Sequence, residues 1–147
     1  MAYFTTVKLL TYDPTAALLI AVNDQTGLSL HPSYVEVGPV LSANGNLATV
    51  KISARTIAPN SEEKRFLNGG PVEFTRLDLS SFFSGSFKIP YDGAISSLDV
   101  ARIITDRTGI LFDDRDFQET VITASANKLK ASPNSLRWIG ELTIIAG

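Results

Sequence analysis

The 147-residue chain contains no cysteine and a single histidine, His31. The first absence excludes disulfides, thiolate nucleophiles and cysteine-ligated zinc, and the second excludes multi-histidine metal sites. Charge of either sign is sparse: 13 basic and 15 acidic residues give a formal charge of −2, with Lys and Arg scattered along the chain. A nucleic-acid groove needs clustered positive charge, so no nucleic-acid partner is expected. Long apolar runs are missing as well. The longest, "AALLIAV" at 16–22, is about a third of what a membrane-spanning helix needs, and no membrane partner is expected. The opening "MAYFTTVK" lacks the charged start, apolar centre and small-residue cleavage site of a secretory signal. This points to a protein made in the cytoplasm, which stays there or leaves by lysis or assembly. No cofactor motif stands in the chain, and none is expected to bind.

What is present is the composition of a globular protein, with 44% hydrophobic and 19% charged residues. The length suits one well-buried core, so residues 1–147 are expected to form a single domain.

Within it a pattern occurs twice. "DQTGLSL" at 24–30 and "DRTGILF" at 106–112 align Asp24 with Asp106, Thr26 with Thr108, Gly27 with Gly109, Leu28 with Ile110 and Leu30 with Phe112. A large apolar residue follows in each copy, Val35 in the first and Phe117 in the second. Before the first copy, Asp13 can cap a helix, Pro14 suits its first position, and Ala16 to Val22 are apolar almost all round, which predicts burial on most faces. Before the second, Ser96 or Ser97 can cap and Asp99 favours the positive helix end, with Val100, Ala101, Ile103 and Ile104 as the apolar stripe. Asp99 with Arg102, and Arg102 with Asp106, stand at spacings that meet on a helix surface. Gly27 and Gly109 are then structural helix stops, each supplying the left-handed conformation that turns the chain into a following strand.

Strand patterns follow both. "YVEVGPV" at 34–40 and "LATVKI" at 47–52 flank a hairpin-type turn at "SANGN", and "VEFTRLDL" at 72–79 changes face near Thr75 and Arg76, where a bulge or turn is expected. "GSFKI" at 85–89, "ETVITA" at 119–124, "NKLKA" at 127–131 and "LRWIGELTII" at 136–145 complete the set. Pro-Asn-Ser recurs at 59–61 and 133–135. The fold class read from this is α+β, mostly antiparallel β-sheet with two short helices. Two similar halves, about 13–79 and 96–146, are expected to share one core through an internal duplication.

Few residues nominate chemistry. Asp113, Asp114 and Asp116 in "FDDRDF" suit a hard cation, but the glycine and later bidentate carboxylate of a cation loop are missing because Glu119 stands too near. A turn is the stronger reading. "LNGGP" at 67–71 is followed by a strand and lacks the Lys-Ser or Lys-Thr of a phosphate loop. His31 has no base or nucleophile partner placed by sequence and reads as structural. Phe82, Phe83 and Phe87 in "SSFFSGSF" are either core between the halves or an apolar patch that meets another protein; they are the candidate interface. Trp138 shares a strand face with Leu142 and Ile144, which predicts burial. Tyr34 and Tyr91, the latter beside Asp92, are the candidates for stacking on a sugar.

"PVEFTRLDLSSFF" and "TASANKLKASPNSLRWIGELTI" carry a resemblance. Together with "TGILFDDRD" they are similar to a family of small structural modules in tailed bacteriophage virion proteins. Phe74, Arg76 to Leu79, Phe82 and Phe83 match its first motif, Gly109 to Asp116 its second, and Asn134 to Gly140 its closing strand. The likeness covers roughly residues 70–147, and Phe74 and Thr75 stand where that family often has Tyr-Asn. The resemblance implies a non-enzymatic virion component with no catalytic, cofactor or metal residues, assembled in the host bacterial cytoplasm. A small single domain suits a head (capsid) decoration or cement protein that binds the major capsid protein and copies of itself. A neck, tail or baseplate subunit is the alternative, and a host carbohydrate-binding module the second; a small hydrolase is the remaining reading.

Overall fold

The computed structural model describes residues 3–5, 10–54 and 71–147. A first unit comprises β1 (Tyr3–Thr5), α1 (Pro14–Thr26), β2 (Val35–Val37), β3 (Ser42–Asn44), β4 (Leu47–Val50), β5 (Ile52–Ala54) and β6 (Val72–Thr75). β7 (Leu77–Asp78) and the one-turn helix α2 (Leu79–Phe82) lead into the second. That unit comprises β8 (Ser86–Ile89), β9 (Ala94–Ser96), α3 (Ser97–Thr108), β10 (Val121–Thr123), β11 (Lys128–Lys130), β12 (Trp138–Ile139) and β13 (Glu141–Ala146). The fold is α+β and mostly β. Pro-Asn-Ser at 59–61 and the glycines at 69 and 70 lie outside the described residues.

The helices start and stop where their end residues dictate. Asp13 accepts a hydrogen bond from the Ala16 N–H, and of the two candidate serines Ser96 is the cap of α3, accepting from Asp99 N–H. α1 and α3 each end on a glycine in the left-handed region, Gly27 at φ 74° and Gly109 at φ 77°, a conformation that costs any side chain with a Cβ. The threonines before them repeat one arrangement. Thr26 Oγ1 donates to Val22 O at 2.7 Å and Thr108 Oγ1 to Ile104 O at 2.6 Å, which closes the last turn of each helix with a side chain. Arg102 pairs with Asp99 at 3.0 Å on the exposed face of α3.

Each unit builds its sheet in the same order. In the first, β6 lies between a parallel β1 and an antiparallel β4, with β3 outside. In the second, β13 lies between a parallel β8 and an antiparallel β11. A strand, a helix and a return strand parallel to the first thus occur in both. Val35 in β2 pairs with Ala54 of β5, and Phe117 forms an isolated bridge with Ala131, just past β11.

Three features differ from the expectation. Among the described residues a third helix, α2, forms because the Asp78 side chain accepts from Ser80 N–H and Ser81 N–H, a cap that a sequence pattern of only four residues hides. The "SANGN" turn is tighter: Ser42 to Asn44 are strand, with Ser42 Oγ and Thr49 Oγ1 2.8 Å apart across the hairpin, and β2 pairs with β5 instead of joining that hairpin. The apolar interior, finally, forms two clusters. Leu18, Leu19, Val22, Val50, Ile52 and Phe74 belong to one, and Ile89, Val100, Ile104, Ile122, Leu142 and Ile144 to the other. Leu136 is buried in the first cluster and Trp138 in the second, with buried Arg137 between them. Charged side chains and backbone carbonyls occupy the boundary, and these cannot be left among hydrocarbon without partners. The break in "VEFTRLDL" falls at Arg76, as expected: Arg76 N–H turns to Asn46 O at 2.7 Å and Leu77 N–H to Arg137 O at 2.6 Å.

Candidate functional site

The boundary between the clusters is a polar seam made by three arginines and two aspartates. Arg137 donates to Leu111 O at 3.1 Å and Tyr12 O at 2.8 Å. Arg76 donates to Pro133 O at 3.3 Å and Ser135 O at 3.4 Å. Arg115 reaches Asn134 O at 2.8 Å, Val37 O at 3.1 Å and Gly38 O at 2.9 Å. A planar guanidinium with several fixed donors can hold two or three carbonyls at once. Arg115 and Arg137 therefore each clamp segments of different origin, and Arg76 ties the end of β6 to the 133–135 loop.

The carboxylates complete the seam. Asp116, 0% exposed, accepts from Asp113 N–H at 2.8 Å and from Ser135 Oγ at 2.8 Å. Asp113 accepts from Arg115 N–H and, at 3.2 Å, from Thr15 Oγ1 of α1. Burial raises the pKa of both acids; for Asp116 the charge of Asp113 adds to it, outweighing its two hydrogen bonds and the Arg137 charge, and its pKa is pushed up to about 7. Burial likewise lowers the three guanidinium pKa values. The "DDRD" stretch is thus a turn stitched to the rest of the protein, and among the described residues no three His, Asp or Glu side chains are placed to hold a metal ion.

The aromatic candidates are brought together on the second unit. Phe82 is 38% exposed and meets Phe83 at 4.9 Å and Trp138 at 5.4 Å between ring centroids. Phe83 and Phe87, both half-buried, sit 5.8 Å apart. Trp138 is fully buried, as its strand pattern predicts. One ring, Phe82, consequently faces solvent at the edge of a packed aromatic cluster. His31 is exposed in a turn; its Nδ1 accepts from Ser33 N–H at 3.1 Å and its ring lies 5.8 Å from that of Tyr34. Tyr34 is exposed beside β2, whereas Tyr91 is half-buried against the second cluster. The two tyrosines are therefore anchored in different units.

Two grooves open on either side of the extended segment that leads into β10. The first, about 270 Å³, is lined by Ser97, Leu98 and Ala101 of α3 with Asp113, Asp114, Phe117 and Glu119. The second, about 200 Å³, is lined by Gln118, Thr120, Val121, Ala126, Lys128 and Lys130. Side chains of extended backbone alternate in direction, so Phe117 and Glu119 face the first groove and Gln118 and Thr120 the second, while Val121, where β10 begins, also lines the second. Neither the seam nor the grooves is evident from residue spacing. The available signal was Arg137 itself, a charge between the large apolar residues Leu136 and Trp138.

No curated protein and no solved structure matches the chain. One family model does, over residues 12–147, a span that takes in the whole seam and both units except β1. The chain belongs to that family, a family of unknown function designated DUF7941.

Proposed function

We propose that this chain is a non-enzymatic structural component of a tailed bacteriophage virion: a head decoration or cement protein that stabilises the shell through contacts with the major capsid protein and with copies of itself. The observation that carries this reading is where the three resembling stretches lie. Arg76 of "RLDL", Asp113 and Asp116 of "DDRD", and Ser135 and Arg137 of "NSLRW" meet in one seam, and β7 pairs with β12 from Leu77 to Trp138. The stretches that carry the resemblance thus pack together as one substructure, which supports reading them as a unit. Phe82, backed by Phe83, Phe87 and Trp138, is the contact we assign to the shell; a rigid aromatic with one exposed face suits a protein interface. We also read the two units as copies of one ancestral module, supported by their common strand order and Thr-Gly helix ends.

A neck, tail or baseplate position is favoured by one feature, the oppositely charged grooves on the two sides of one strand, which suit a ring. Microscopy of phage particles labelled with an antibody against this chain separates the two. Label over the head is the expected result. Label restricted to the neck, tail or baseplate selects the second reading, and label on no particle defeats both.

A further inference from the structure

The grooves differ in charge without exception among their lining residues. Asp113, Asp114 and Glu119 line the first, which has no Lys or Arg, and Lys128 and Lys130 line the second, which has no Asp or Glu. Each also carries a large apolar side chain in solvent: Leu98 is 63% exposed and Val121 is 62% exposed. A single isolated apolar residue at a surface is ordinary, but an apolar residue set beside concentrated charge of one sign is the composition of an interface rim and core in miniature.

The wall between the grooves is rigid. Gln118 N–H donates to Lys130 O at 2.9 Å, Ser97 N–H to Thr120 O at 2.9 Å, and Thr120 N–H to Ser97 Oγ at 3.1 Å. Asp113 is fixed by Thr15 and Arg115, and Lys128 Nζ is held by Thr143 Oγ1. A surface that is already ordered loses little conformational freedom on docking.

We propose that the acidic groove of one copy of this chain docks on the basic groove of a second, head to tail. Charge complementarity identifies the occupant, because the same molecule presents both signs on opposite sides of one strand. Leu98 of one copy and Val121 of the next are then covered together. A contact of this kind uses two different patches, so a pair of copies retains one free acidic groove at one end and one free basic groove at the other, and assembly continues into a ring or an open row. The proposal rests on the reading of a self-assembling particle protein, which the head and the neck, tail or baseplate positions share, yet stands on a different surface from Phe82.

The test is sedimentation of the full-length chain as a function of concentration and salt. Wild type is expected to grow in mass with concentration at low salt and to return to monomer near ~0.5 M salt, where screening confines charge attraction to a few ångströms. Asp114→Lys with Glu119→Lys makes both grooves basic, and Lys128→Glu with Lys130→Glu makes both acidic. Each variant alone is expected to lose self-association by about tenfold or more, while an equimolar mixture of the two associates again. These side chains are exposed, and circular dichroism confirms folding; were a double variant unfolded, the Glu119→Lys and Lys130→Glu single variants repeat the mixing test. Monomeric wild type at every concentration overturns the proposal, as does a folded pair that stays apart on mixing. A monomeric chain that nevertheless labels a phage particle removes the head-to-tail contact and leaves the particle reading standing; an associating chain absent from every particle does the reverse.

Discussion

α1 and α3 end alike and live differently. Both stop at Thr-Gly with the threonine hydroxyl bonded four residues back and the glycine N–H bonded to Asn23 O or Thr105 O at 2.8 Å. Beyond the corner, the Asn23 side-chain amide donates to Leu30 O and accepts from Leu30 N–H, and Thr105 Oγ1 donates to Ile110 O at 2.8 Å. The helix bodies diverge. α1 buries Ala17, Leu18, Leu19, Ala21 and Val22 on several faces, whereas α3 buries a stripe of Val100, Ala101 and Ile104 and leaves Leu98 and the Asp99–Arg102 pair in solvent. The lesson is that a stop signal is a property of three or four residues, but the use of a helix is decided by what packs against it. α1 is committed to the interior, whereas α3 keeps a free face, whose Leu98 borders the acidic groove beside the buried Ser97 and Ala101.

The comparison breaks most severely at the seam. Arg137→Ala leaves the Leu111 and Tyr12 carbonyls without their donor and Asp116 without its nearby positive charge, and is expected to cost about 3–5 kcal/mol, read by denaturant unfolding. A loss below ~1 kcal/mol would mean the units are held by their apolar contacts instead.

Truncation within one cluster sharpens the contrast between units. Leu18→Ala and Leu142→Ala each remove a side chain that is 0% exposed and are expected to cost about 2–5 kcal/mol. Native-state hydrogen exchange should show the loss of protection chiefly in the unit that carries the change. Uniform loss across both units would show that the two clusters open as one.

Acidity tests the seam from another side. The folded Asp116 carboxyl titrates at about 7, against roughly 3.9 in an unfolded chain, so the native state holds this proton the more tightly. Its contribution is full below about pH 4 and is lost as pH rises through about 7, on the order of 1–3 kcal/mol. Asp113, also raised by burial, acts with the same sign. Thermal melts across this range should show stability falling toward higher pH, and Asp116→Asn should flatten most of the slope. An unchanged slope in that variant would place the titrating group elsewhere.

The smallest effect concerns the corners themselves. Gly27→Ala and Gly109→Ala meet no neighbouring atom within 4 Å but force a side chain into positive φ, at about 1 kcal/mol each. Equal costs in thermal melts would confirm that the corners are equivalent despite the different helix bodies; a much larger cost at either would mean that its loop carries tertiary load.

Local signals were legible in the sequence because their causes are local. Asp13 and Ser96 cap, Gly27 and Gly109 stop, Arg76 breaks a strand, and Trp138 alternates inward, each through atoms only a few residues away or through a simple period. The α+β class followed from the same signals. The tertiary structure alone decided the rest. Arg115 finds Val37 and Gly38, and Arg137 finds Tyr12, contacts far apart in the chain that no spacing rule anticipates. The single shared core became two clusters because those buried charges had to be satisfied where the units meet, and the opposed grooves exist only because the chain from Phe117 to Val121 is pinned between α3 and β11.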